Sequence, residues 1–282
     1  MFDQDMNNRL IIVGALLISR FSCMMLDAQE TKNNRYVSPD YFGPNAFPIP
    51  DMLDGSVKDK LCVEVAGDYY WGHYKDNTKT IYARIFIPLF SDRVNLTLWY
   101  QLLEFYKVSS DWKQHCGVDG FRGGHEWGDI YVSTDIQLIK ESKSKPGVTI
   151  RAALKSASGG SYQKARFYDC PGYFFDASIG KVFRKVKVAA SGGFLCWQTD
   201  NGCQNDAVMF SSLFEYGLNY HIGFICNGYL GWQRNGDCPV NVKLYAEKPM
   251  GNLTPFLNIQ VGLHNYPYTL LRIGLRYECV LW

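Results

Sequence analysis

The sequence predicts an all-β protein, a transmembrane antiparallel up-and-down β-barrel of about twelve strands. Three observations predict it. First, segments in which apolar and polar residues strictly alternate recur from about residue 59 to the end, several well beyond the usual strand of about 5–6 residues. Second, the links between them alternate between short and long, which puts every second turn on one side. Third, the chain starts like an export signal, and no later apolar run approaches the ~18 residues of a membrane helix.

At the N-terminus, Arg9 precedes an apolar run over Leu10–Ile18, followed by small and polar residues up to Ala28. This reads as a signal peptide over 1–28 with Met6 as a better initiator than Met1, because Asp3 and Asp5 sit poorly in a basic leader. Arg20 ends the run too early for a bilayer-spanning helix. Cys23 in "RFSC" makes a poor lipid-attachment signal, since Arg20 stands where an apolar residue is needed.

Residues 29–58 are rich in Pro, Asn and aromatics without a period. They read as an extended segment, either periplasmic or inserted in the lumen as a plug. The barrel itself is assigned to 59–282.

The strand candidates then follow in order. They are 60–71, 79–90, 93–101, 128–142, 148–158, 173–181, 185–197, 207–218, 221–232, 240–248, 254–264 and 268–279. In the third, alternation slips near Leu102–Leu103, as a bulge makes it do. In the fourth, "GDIYVSTDIQLIKES", Ile130, Val132, Thr134, Ile136 and Leu138 share one face, and Asp129, Tyr131, Ser133, Asp135 and Gln137 share the other. A tilted strand crossing a bilayer needs about 9–11 residues, with one face toward lipid and one toward a polar lumen. A soluble sandwich or small barrel would invert this, with the isoleucines inside. No amphipathic helix of useful length is evident. The long glycine-bearing link over 107–126 is expected outside the cell. The chain ends in Trp282, one residue off the apolar parity of the last strand.

The charges on the inward parity are candidate lumen-lining residues: Glu64, Asp68, Arg84, Asp129, Asp135, Arg151, Lys155, Asp176, Glu215, Lys243, Glu247, Arg272 and Arg276. Twelve tilted strands give a backbone diameter of roughly 26 Å. Long side chains from opposite walls nearly meet across that width. The mixed signs fit two arrangements, a solvated constriction that sets selectivity or a paired network that fills the lumen.

A formal net charge of +2 argues against a nucleic-acid partner. Eight cysteines follow Ala28; none forms a CxxC pair, so neither a metal site nor a cofactor is indicated. Cys196 and Cys203 flank a turn and are placed to face each other across a hairpin, while most of the others read as small apolar residues. None of the five histidines lies two residues before a serine, the arrangement an outer-membrane lipase needs, and an enzyme is not expected. The expected partners are outer-membrane lipid and a small solute.

The runs "WGDIYVSTDIQLI", "PGVTIRAALKSASGG" and "YFFDASIGK" resemble outer-membrane barrels of the group named for the meta-pathway of phenol degradation. The matching positions are Gly128, Asp129, Lys155, Ser158, Gly159, Asp176 and Gly180. The likeness covers about the middle third of the chain. It implies a channel of a Gram-negative outer membrane passing small, often hydrophobic solutes, and it brings no catalytic residues. The Pro-rich front segment and the many cysteines depart from it.

Overall fold

A computed structural model describes residues 38–90, 93–160, 162–198, 205–217, 219–231 and 237–279. The signal peptide, Cys203 and Trp282 lie outside the described residues. The described residues form thirteen strands: β1 Leu61–Gly72, β2 Asn77–Leu89, β3 Val94–Lys107, β4 Gly123–Glu126, β5 Ile130–Ile139, β6 Gly147–Lys155, β7 Gly172–Phe183, β8 Val186–Trp197, β9 Asn205–Gly217, β10 His221–Gly231, β11 Val240–Glu247, β12 Leu253–His264 and β13 Tyr268–Cys279.

Twelve of them form a closed antiparallel barrel in sequence order. Closure comes from β1 against β13, paired from Leu61–Cys279 to Gly72–Tyr268. The remaining strand, β4, adds to the free upper part of β3 through Glu104–Glu126 to Lys107–Gly123. Leu102 is unpaired where Ile81 faces Leu103 and Tyr82 faces Gln101, so the slip in the sequence pattern is a bulge.

Exposure separates the membrane barrel from its soluble inverse. Ile130 and Ile136 are 46% and 37% exposed, whereas Asp129 and Asp135 are 0% and 2% exposed. The outward rows of other strands are equally apolar, with Val63 and Val65 on β1, Phe175 and Ile179 on β7, and Leu257 and Ile259 on β12. An apolar outside around a polar inside is the pattern of a barrel solvated by lipid.

The links sort to two ends. Of the described residues, 73–76, 108–129, 156–160, 162–171, 198, 237–239 and 265–267 lie at the loop end, and 90, 93, 140–146, 184–185, 219–220 and 248–252 lie at the turn end. The strict alternation of lengths does not hold, because "GHYKDNT" gives its last residues to β2 and leaves a four-residue turn, while 140–146 is longer.

The long link is also not bare loop. Ser109 caps a helix, α1 (Ser110–Cys116), accepting from Trp112 N at 2.9 Å, and Gly117 ends it at φ +63. Trp112 and Cys116 pack with Phe42, Phe47, Tyr168 and Val118 into an aromatic cap at the loop end. His125 and Glu126, at the end of that link, lie on β4; the Glu126 carboxylate is largely buried and pairs with Lys164 at 2.9 Å. Cys196 is a free thiol opposite Asp206 in the β8–β9 ladder, and its expected hairpin partner Cys203 lies outside the described residues.

Candidate functional site

Residues 38–58 run inside the barrel from the loop end to the turn end. Pro39 opens a short 3-10 helix over Pro39–Tyr41, Pro44 lies in a turn closed by Ala46 N on Gly43 O, and these two with Pro48 and Pro50 remove four backbone donors from the stretch. The wall therefore supplies donors to its carbonyls. Tyr268 and Tyr266 hydroxyls donate to Phe42 O (2.7 Å) and Pro44 O (3.2 Å), Asn227 to Pro50 O (3.2 Å), and Arg151 to Asp51 O (2.8 Å).

Three side chains of the segment anchor it further. Asn45 donates to Glu104 (2.7 Å) and Thr80 (3.1 Å) and accepts from Tyr70 (3.1 Å). Asp51 accepts from Arg84 on β2 (2.6 Å) and from Lys243 on β11 (2.5 Å), bridging two well-separated parts of the wall. Asp54 pairs with Lys187 on β8.

At the turn end the backbones touch. Gly55 sits at φ +86, and a Cβ there would lie 2.5 Å from Gly180 N and 2.8 Å from Gly147 O. Gln137 clasps the same point, donating to Gly55 O (2.6 Å) and accepting from Val57 N (3.2 Å).

Most wall charges are paired. Arg272 holds Asp68 through two bonds of 2.7 and 2.8 Å, and Arg151 holds Asp176 through two of 2.7 and 3.0 Å. Arg276 lies between Glu64 (3.3 Å) and Glu247 (2.9 Å). Asp129 pairs with Lys155 at 2.7 Å and accepts from Gly159 N at 2.7 Å, while Ser158 donates to Gly128 O at 3.3 Å. The residues of the resemblance thus knit the top of β5 to the end of β6, and Gly180 makes room for the segment. Two carboxylates differ. Among the described residues Asp135 accepts from Thr97 (2.8 Å) and Ser133 (2.9 Å) alone, and Glu215 from Tyr245 (2.5 Å) with His221 beside it (3.0 Å).

Between the segment and the wall a cavity of about 550 Å³ remains. Of the thirteen residues named from the sequence, Glu64, Arg84, Asp135, Arg151, Glu215, Lys243, Glu247, Arg272 and Arg276 line it. Asp68, Asp129, Lys155 and Asp176 lie in ion pairs of the wall and are not among its lining residues. Sequence reasoning missed Asn45, Asp51, Asp54 and Arg166, none of which lies on a periodic segment. Arg166, from the 156–171 link, is fully buried against Glu104 (2.7 Å) and Thr78 (2.8 Å). Their signal was a charged or amide residue in a Pro- or Gly-rich stretch, which composition alone does not assign to a partner.

At the loop end, burial pushes the Asp76 carboxyl up to about 6 despite the neighbouring Arg166. Among the described residues no group of His, Cys, Asp and Glu could hold a metal ion. His115 pairs with Asp40, His221 with Glu215 and His264 with the Cys238 carbonyl.

No protein-family model matches the chain, and no curated protein matches it. Among solved structures it is similar to an outer-membrane channel from Pseudomonas putida F1, at 12% identity over 82% of this chain and 100% of that chain, with a TM-score of 0.60. The fold is that outer-membrane barrel. Weaker likenesses are to the NanC porin (10% identity, 77% of this chain and 100% of that chain, TM-score 0.49) and to outer-membrane phospholipase A from Escherichia coli (10%, 80% and 99%, TM-score 0.43).

Proposed function

We propose that the protein is a gated outer-membrane channel for small solutes, closed in this state by residues 38–58 acting as an internal plug. The observation that carries the reading is the cavity of about 550 Å³ beside that segment. It is lined from Gln101 and Tyr70 toward the loop end down to Asn95, Lys58 and Glu278 at the turn end. A barrel whose only task was mechanical would gain from filling this space. The resemblance to the phenol-degradation group supports the same class of function. On this reading the loop end faces outward, the turn end faces the periplasm, and an export signal delivers the chain to the outer membrane of a Gram-negative bacterium.

A second reading, a closed structural barrel that binds a partner through its loops, is favoured by the density of bonds to the segment and by the aromatic cap over the loop end. Single-channel recording separates the two. Discrete conductance steps from purified protein in a planar bilayer support the channel, and an electrically silent barrel with native heat-modifiability supports the closed one.

A further inference from the structure

Among the described residues every Lys and Arg on the cavity has a carboxylate partner, whereas three of its anions have no Lys or Arg. Lys58, Arg84, Arg151, Lys243, Arg272 and Arg276 each have a carboxylate within ion-pair distance. Asp135 has no Lys or Arg at that distance among the described residues, Glu215 has only His221, and Asp59 is exposed to solvent. Arg151 stands directly across from Asp135 in the β5–β6 ladder, but its guanidinium is turned to Asp176 and to Asp51 O. A carboxylate taken out of water without a cation leaves charge uncompensated.

A second observation lies on the same wall. The inward rows of β3 and β5 run side by side, with Trp99 opposite Tyr131, Thr97 opposite Ser133 and Asn95 opposite Asp135. Above Asp135, the Trp99 and Tyr131 rings stack at 5.0 Å. Tyr131 and Gln101, 1% and 5% exposed, are among the residues lining the cavity, and among the described residues the Tyr131 hydroxyl and the Gln101 carbonyl oxygen, both shielded from solvent, have no hydrogen-bond partner. Buried polar atoms without partners call for an explanation, and a guest seated beside these two side chains supplies one. The Gln101 oxygen can only accept, and Asp135 calls for positive charge.

We propose that this strip is a binding site for a small organic cation, a molecule with an ammonium group for Asp135 and a hydroxyl or amine donor for Gln101 and Tyr131. This deepens the channel reading and rests on it: the solute admitted is a cation, and Glu215 near the turn end is a weaker station on the same route.

The test is isothermal titration of the full-length protein in detergent with three ligands of one shape. Tyramine carries the ammonium, tyrosol replaces it with a neutral hydroxyl, and 4-hydroxyphenylacetate carries a carboxylate. On the wild type, tyramine binds and the neutral and anionic analogues bind about tenfold more weakly or worse. Asp135→Asn reduces tyramine affinity by about tenfold, and Gln101→Leu reduces tyramine and tyrosol alike. Wild-type binding that ignores ligand charge, or prefers the anion, overturns the proposal, and this comparison needs no variant to fold. Tyramine binding by a barrel that never conducts would retire the channel and keep the site. Conductance without tyramine binding would do the reverse.

Discussion

Replacing Asp51 with alanine should raise the fraction of barrels that are open. The carboxylate accepts one charge-assisted bond from Arg84 at 2.6 Å and one from Lys243 at 2.5 Å. Bonds to charged groups contribute about 1.5–3 kcal/mol each. About a third of the Asp51 side chain faces the cavity, so solvent screening takes back part, and about 2 kcal/mol is a fair value for the pair. That raises the population with the segment displaced by about 30-fold. Asn45, Asp54 and Gly55 still hold the chain at either side, so most molecules stay closed. The assay is open probability in a planar bilayer, with Asp51→Asn as an intermediate and Lys58→Ala, whose pair with Glu278 is long at 3.4 Å and partly exposed, as control. If Asp51→Ala opens no more often than Lys58→Ala, the bridge across the lumen is not what keeps the barrel shut.

Four other outcomes are expected. Gly180→Ala should dislodge the lower part of the segment and raise conductance, because its Cβ would fall 1.9 Å from Asp54 O, whereas Gly67→Ala, with nothing within 4 Å, should leave recordings unchanged. Ile136→Arg should cost roughly 2–4 kcal/mol in a reversible folding assay in lipid and Asn258→Arg on the cavity much less, so equal costs would reject the assignment of faces. Because burial raises the Asp76 carboxyl to about 6 from 3.8, the folded state binds its proton more tightly than the unfolded chain. Its stabilisation is therefore complete below about 4 and lost as pH rises through about 6, and Asp76→Asn should flatten that part of the melting temperature profile. An epitope inserted after Asp119 should be reached by antibody on intact cells, and labelling only after lysis would invert the two ends.

The strands were legible because a barrel wall is a repeated choice between two solvents. Each residue of β5 or β13 faces either lipid or lumen, so the period of two persists for ten residues or more and even the Leu102 bulge shows as a slip. The interior was legible only in part. Parity tells that Arg84 and Lys243 point inward, but their shared partner is Asp51, in a stretch whose conformation is set by prolines and has no period. Arg166 meets Glu104 across 62 positions of chain, and nothing near either residue encodes the meeting. Helix α1 was missed because its seven residues are too few for a helical repeat; only Ser109 and Gly117 marked its ends.

The segment inside the ring has a consequence for the order of assembly. The chain leaves the lumen at the turn end to become β1, and β1 is one side of the closing seam with β13. Once that ladder of twelve residue pairs is zipped, Ser38 to Lys58 can enter only by being drawn lengthwise through a finished hoop, with Phe42, Phe47 and the prolines passing every inward side chain. The direct route is for the later strands to curl around the thread while the seam still gapes, with Asp51 and Gly55 gathering β2, β6, β7 and β11 toward a common axis. Closing then comes last, and the thread serves as the mandrel on which the hoop is bent.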